Sequence, residues 1–425
     1  LDPLGPSPAL AKALANLSGH QLVSGQFAAC IENGRRGQEM AERFGLEQTA
    51  ISALDSYGTA LSCVADPDTE GAIDALREAL ERAKRADLPD EMARAATNLA
   101  FILAGLGQPT VALPLLDDAI AAAEQHELRY RLNCLRPSRA EILMLIGRWS
   151  EATAELENVL RDPFASDINR CGVLQILGRV RARRGDPGAL EALDEALGLA
   201  EHFDEAQHIV AARIARSEAA ALAGDVARAG AEVEASIPLD HLLDPAMRRD
   251  LLRCAMRAGV DWAPTDPRDE ATLLLLARDH RGLARFWEER GCCYDVADAL
   301  ADSDDVDDLR RAHEQLTALG ARPRAQQAAR RLRDLGAREV PRGPRPSTRA
   351  NAAGLTAREL EVATLLAEGL TNAEIADRLV VSAKTVDHHV SSVLSKLAVS
   401  SRRQVASAAA DLGLDLQPLD GAAVR

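Results

Sequence analysis

One pattern recurs through the first 240 residues: an alanine, a Leu or Val four positions on, and a small or β-branched residue three further. It begins at Ala72, Ala112, Ala152, Ala189 and Ala229, with spacings of 40, 40, 37 and 40 residues. The follow-up residues stay in register: Leu76 and Ala79, Leu116 and Ala119, Leu156 and Val159, Leu193 and Ala196, Val233 and Ser236. Steps of three and four place them on one helix face, and alanine there lets a second helix approach closely. Gly107, Gly147, Gly185 and Gly224 stand four or five residues ahead of the later alanines, where a preceding helix is expected to stop. A single helix pair cannot bury its own apolar face, so a fixed period of this length predicts stacked pairs, an all-α helical-repeat solenoid. With only 3% aromatic residues and abundant Ala and Leu, the chain suits close helix packing and not a β-sandwich. An earlier unit around Gly25 to Phe44 reads as partial. Pro238, Pro245, Pro264 and Pro267 interrupt the period between about 237 and 270. Helices are expected again at 271–276, around Trp287 to Leu300, around Ala312 to Leu319, and in an arginine-rich stretch ending near Leu335.

A second kind of order occupies Leu355 to Leu412. Thr356 with Glu359, Thr371 with Glu374, and Ser401 with Gln404 each have the spacing of a capping box. Ser382 supplies an N-cap for one more helix, running to about Leu397. Gly369 and Gly413 stand at stop positions. Only Val380 and Val381 separate the second helix from Ser382, and so tight a corner predicts a helix-turn-helix, whose second helix enters a DNA major groove. In that helix Val386, Val390, Val393 and Leu397 share an inward arc. The opposite arc carries Lys384, His388, Ser391 and Ser395, flanked by Asp387 and Ser392. Small hydroxyls, one imidazole and one ammonium suit close approach to DNA.

On these residues the segment resembles the LuxR/GerE-type DNA-binding domain. The matching positions are Leu355, Thr356, Arg358, Glu359, Glu361, Val362, Gly369, Thr371, Asn372, Glu374, Ile375, Ala376, Leu379, Ser382, Thr385, Val386, His389, Lys396, Leu397, Val399 and Arg402. Ala363 and Thr364 depart from a bulkier apolar pair, and Ala398 from the Gly or Asn that often closes the third helix. The resemblance implies base contacts at Asp387, His388 and Ser391, and Lys384 joins them by its place on the exposed arc. Lys384 would donate to guanine. Asp387 would accept from a cytosine amino group, or else exclude wrong phosphate registers. Ser382, Thr385, Lys396, Arg402 and Arg403 are the expected phosphate contacts, which position without specifying; the lysine and the arginines read equally as surface charge. Val405, Ala408, Ala409 and Leu412 form a stripe that either closes the domain core or, as the resemblance implies, joins a dimer interface. A two-fold dimer predicts half-sites about one helical turn apart.

The repeats resemble tetratricopeptide repeats, lengthened from 34 residues to about 40 and lacking most of the consensus Trp and Tyr. From Trp287 onward the chain is similar to large ATP-binding LuxR-family regulators, in which a nucleotide-binding domain precedes the repeats. No GxxxxGK(S/T) loop occurs in this sequence, so no cofactor is expected in it, and ATP would belong only to a preceding segment. The first residue is Leu1 and not Met, which fits a fragment or an unusual start codon.

Charge divides the chain. Residues 1–309 carry a net −21, residues 310–349 a net +8, and residues 350–425 a net −2. An acidic body repels DNA, whereas the basic stretch ahead of the helix-turn-helix could hold phosphates or simply be a solvated helix and linker. Residues 337–353 hold three prolines, a glycine and four arginines, a semi-extended linker. The expected organisation is repeats over 1–336, linker over 337–353, helix-turn-helix over 354–414 and a tail over 415–425. Seven cysteines without a C-x-x-C spacing predict free thiols in a reducing cytoplasm. No apolar run reaches a membrane-spanning length. The adjacent His388 and His389 point about 100° apart on a helix, so no metal site is expected there, and no catalytic motif indicates an enzyme. The function implied is sequence-specific transcriptional regulation, with double-stranded DNA and a second copy as partners and a protein or small-molecule signal on the repeats. The rivals are a protein-binding repeat scaffold whose C-terminal domain reads no sequence, and the non-catalytic tail of a longer ATP-hydrolysing regulator.

Overall fold

The computed structural model describes residues 5–64, 68–203, 206–337, 355–397, 399 and 401–411, and these contain helices and no strands. The chain divides into two compact units, Leu1–Val340 and Pro341–Arg425.

The first unit opens with six helix pairs. They are α1 (Pro8–Val23) with α2 (Phe27–Arg43), α3 (Glu47–Cys63) with α4 (Thr69–Arg85), and α5 (Pro89–Gly105) with α6 (Pro109–Gln125). The next three are α7 (Arg129–Leu145) with α8 (Trp149–Arg161), α9 (Asp167–Arg184) with α10 (Ala189–Phe203), and α11 (Ala206–Ala223) with α12 (Val226–Ser236). Helices α2 to α7 each have 17 residues, and most are joined by three-residue turns, which accounts for a period of about 40 per pair. Six of these turns are built alike. Gly25, Gly45, Asp87, Gly107, Glu127 and Gly147 take left-handed φ of 70°, 64°, 53°, 67°, 56° and 81°. The next residue's N–H reaches back to a carbonyl five positions earlier, as from Gln108 to Leu103 at 2.7 Å and from Arg148 to Leu143 at 2.8 Å. This is the Schellman closure.

The repeated alanines lie on the second helix of each pair. Ala72, Ala112, Ala152 and Ala229 are fully buried and Ala189 half-buried, and Leu76, Leu116, Leu156, Leu193 and Val233 are fully buried beside them. One expectation needs correction. The unit around Gly25 to Phe44 is a complete pair, α1 and α2. Its close approach uses Gly34, whose Cβ position lies 3.1 Å from Tyr57, and Gly37, 3.1 Å from the Ala15 backbone, in place of the alanine pattern. The interrupted stretch holds a 14-residue helix, α13 (Pro245–Ala258). Pro245 sits at its first turn, where the missing N–H costs nothing, and Asp244 caps it by accepting from the Ala246 and Met247 amides.

Five further helices complete the unit: α14 (Glu270–Leu276), α15 (His280–Glu288), α16 (Cys293–Leu300), α17 (Val306–Ala318) and α18 (Arg322–Asp334). They run along the glycine turns of the preceding pairs, in order. Trp287 covers Gly107, Leu319 covers Gly147, and Pro323 covers Gly185. Arg322 Nε donates to the Arg184 carbonyl at 2.7 Å, and Gln327 Nε2 to the Ala221 carbonyl at 2.8 Å. One apolar core joins Met144, Trp149 and Val180 of the array to Leu252, Trp287, Tyr294, Leu316 and Leu332. Charges are buried in the same region. Arg183 (1% exposed) donates to Glu218 at 2.6 Å and lies over the Tyr294 ring. Asp298 accepts from Arg257 and Arg324, each at 2.7 Å.

Candidate nucleic-acid interface

The second unit's described residues form four helices, Ala357–Ala367, Asn372–Leu379, Ala383–Lys396 and Val405–Asp411. Local sequence starts the first two. The Thr356 amide donates to Glu359 Oε2 at 2.7 Å while the Glu359 amide donates to Thr356 Oγ1 at 3.2 Å. Thr371 and Glu374 repeat that exchange. The Ser401–Gln404 box also closes, but on a single 3-10 turn, Arg402–Gln404, that leads into the fourth helix. Leu355, Val362, Leu365, Ile375, Val386, Val393, Leu397 and Val405 fill the core.

The corner between the second and third helices turns on Val380, at φ 51° and 84% exposed. Arg358 of the first helix fixes the corner by donating to the Leu379 carbonyl at 2.7 Å while pairing with Glu361 at 2.6 Å. A β-branched residue at positive φ is strained, and its exposed side chain recovers little by packing. Val380→Gly is therefore expected to raise the stability of this unit by about 1 kcal/mol. Calorimetry of the full chain checks this, and an unchanged or lowered transition would refute it.

The third helix presents the polar arc that its sequence implies. Val386 and Val393 are buried and Val390 half-buried, while Lys384, Asp387, His388 and Ser391 are exposed. Ser382 caps the helix by accepting from the Thr385 amide at 3.1 Å, and the two hydroxyls lie 2.8 Å apart. Ser391 Oγ folds back to donate to the Asp387 carbonyl at 2.9 Å. Asp387 accepts from Asn372 Nδ2 at 2.6 Å.

Residues 353–409 match the family described as bacterial regulatory proteins, luxR family (GerE). This segment is a LuxR-family helix-turn-helix domain. Over 52 residues it is 54% identical to transcriptional regulatory protein LiaR of Bacillus subtilis (strain 168), spanning 12% of this chain and 25% of LiaR. DNA-binding transcriptional activator DevR/DosR of Mycobacterium tuberculosis is 46% identical over 68 residues, 16% of this chain and 31% of that protein. This chain thus spans about a quarter to a third of the length of these curated relatives. Among solved structures, a Rap protein complexed with competence and sporulation factor is similar at 14% identity and a TM-score of 0.40, covering 77% of this chain and 97% of that one. At that score the likeness carries no argument about function.

The remaining predicted residues of the LuxR-family domain divide into engaged and free. Lys396 Nζ donates to Glu359 Oε2 at 2.6 Å, tying the end of the third helix to the start of the first. Burial pushes the Glu359 carboxyl up, but bonds from Lys396 and Thr356 outweigh it and hold it below the usual carboxylate range. Arg402 is half-buried and donates to the Leu370 carbonyl and to Asn372 Oδ1. Arg403 is exposed. Val405 and Ala409 are fully buried and Ala408 half-buried, so the first two close the core; Leu412 and Ala398 lie outside the described residues. Arg358, Asn372 and Val380 carry structural roles that spacing did not assign, although Arg358 and Asn372 lie among the family matches. Among the described residues no His, Cys, Asp and Glu group is arranged for a metal ion, and no helix is long and apolar enough to cross a membrane.

Proposed function

We propose that this chain is a sequence-specific transcriptional regulator of the bacterial cytoplasm, binding duplex DNA as a homodimer. The observation that carries this reading is the Ala383–Lys396 helix. One arc is locked into the core by Val386 and Val393, and the other offers Lys384, Asp387, His388 and Ser391 to solvent. In a major groove, Lys384 donates to guanine, Asp387 accepts from a base amino group, and His388 and Ser391 contact neighbouring edges. Ser382, Thr385 and Arg403 meet phosphates at the flanks. Lys396 and Arg402 reinforce the positive field, with their heads held by Glu359 and Asn372. Of the fourth-helix stripe, half-buried Ala408 is the position that a second copy meets. The repeat unit receives a protein or small-molecule signal, and the chain itself performs no catalysis.

Selection from random duplex DNA by the full chain tests the reading. His388→Ala should change the preference at one base position by about 1–3 kcal/mol, whereas Arg403→Ala should weaken all sequences alike and flatten the salt dependence by about one unit of slope. Recovery of no motif, or binding that does not weaken with salt, would overturn the proposal in favour of a repeat scaffold.

A further inference from the structure

Three polar side chains from three elements meet beside the proposed base-reading face. Arg402, in the 3-10 turn before the fourth helix, donates to Asn372 Oδ1 at 3.3 Å. Asn372, the first residue of the second helix, donates from Nδ2 to Asp387 Oδ1 at 2.6 Å. Arg402 is itself anchored on the Leu370 carbonyl. A guanidinium can only donate and an ionised carboxylate can only accept. With both ends engaged, the amide between them has one orientation, its oxygen to Arg402 and its nitrogen to Asp387. The relay therefore runs in one direction, from a fixed carbonyl to an exposed carboxylate.

We infer that Asn372 is a positioning residue that sets the base preference of Asp387, with Arg402 fixing the amide that does so. This rests on the reading of Asp387 as a base contact. The amide takes Oδ1 and leaves Oδ2 as the acceptor turned to the DNA. Because its donor is neutral, the carboxylate keeps its full charge as an acceptor for a cytosine N4 or adenine N6 amino group. An exposed aspartate without that bond samples several rotamers and loses the fixed direction on which discrimination depends. Asn372 touches no base, and the spacing between it and Asp387 is not local.

The test is selection and titration with the full chain in four forms: unaltered, Asn372→Ala, Asp387→Ala and the double variant. Asn372→Ala should reduce the preference at the base position governed by Asp387 by about 5–10-fold, part of the discrimination of one good contact. Affinity for nonspecific DNA and its salt slope should stay within about 2-fold, since no phosphate contact is removed. In the Asp387→Ala background Asn372→Ala should change nothing further, which a general loosening of the domain would not reproduce. Arg402→Lys, a single point donor in place of a fork, should give a smaller loss at the same base position. If Asn372→Ala lowers the unfolding midpoint, Asn372→Ser, polar at the helix start but too short to reach Asp387, is the variant scored. A shift at one base position with Asp387→Ala but none with Asn372→Ala or Asn372→Ser would overturn the relay and leave the base contact standing. No shift with Asp387→Ala would overturn the base contact and the relay together.

Discussion

Glu218→Ala is expected to destabilise the repeat unit by about 3–5 kcal/mol. Its carboxylate accepts from Arg183 at 2.6 Å and from Arg179 at 3.2 Å, and Arg183 and Glu218 are 1% and 5% exposed. Burial pushes the Glu218 carboxyl up, but the field of Arg183, Arg179 and Arg253 outweighs it and holds the group well below the usual range. Removing the carboxylate leaves the Arg183 guanidinium buried against Tyr294, with its carboxylate partner gone. The three tryptophans, Trp149, Trp262 and Trp287, all lie in this unit, so the midpoint of their fluorescence change in urea reports it selectively. The double variant Arg183→Met with Glu218→Leu should recover most of the loss, because no unpaired charge remains. The pair also has a pH signature. A folded carboxylate pKa below the unfolded value of about 4.3 stabilises fully above that value and loses its contribution as pH falls further. Between about pH 4.3 and pH 2 the unaltered chain should therefore lose more stability than the double variant. A single-variant cost below about 1 kcal/mol would mean that water reaches the pair.

The second large effect is expected at a turn. Gly107→Ala combines two costs: a left-handed φ of 67°, and a Cβ 2.6 Å from Trp287 Cζ3 and 3.1 Å from Cε3. The indole cannot retreat easily. It is 7% exposed, lies edge-on to Phe286 with centroids 4.8 Å apart, and is covered by the Arg249 guanidinium. Strain in φ costs about 1 kcal/mol and overpacking about 1–3 kcal/mol, for a total of about 2–4 kcal/mol. Gly45→Ala is the matched comparison, since Gly45 closes the same kind of turn at φ 64° with nothing within 4 Å of its Cβ position. It should cost only the conformational part, about 1 kcal/mol. The difference between the two midpoints measures how firmly α15 is seated on the array. Equal midpoints would show that Trp287 moves aside freely.

What the sequence made legible was local. The capping boxes at Thr356 and Thr371 span three residues, and the alanine pattern lies within single helices, so both could be read directly. The turns were read only where glycine marks them. Asp87 and Glu127 adopt the same left-handed geometry at the intervening junctions, and nothing in their side chains announces it. The α1–α2 pair read as partial because Gly34 and Gly37 serve there where later pairs use alanine. Long-range partnerships left no spacing to read. Cys292 reaches the Gly107 carbonyl across 185 residues, and Lys396 pairs with Glu359 across 37. Lys396 accordingly read as a phosphate contact or a surface charge, and not as a partner of Glu359. The polar arc of the third helix was legible because its apolar arc is regular; the bond that orients Asp387 joins residues 15 apart and was not.

The α14–α18 strip also bears on how this protein can change over generations. A free-standing solenoid can gain or lose a pair of helices at little cost, because each pair meets only its neighbours. Here Trp287, Leu319, Pro323 and Gln327 engage four successive turns, at Gly107, Gly147, Gly185 and the end of α11. Deleting one pair would leave one of those residues facing no turn, and inserting one would leave a turn bare. The strip works as a ruler laid along the array, and it holds the number of repeats constant while their surfaces remain free to diverge.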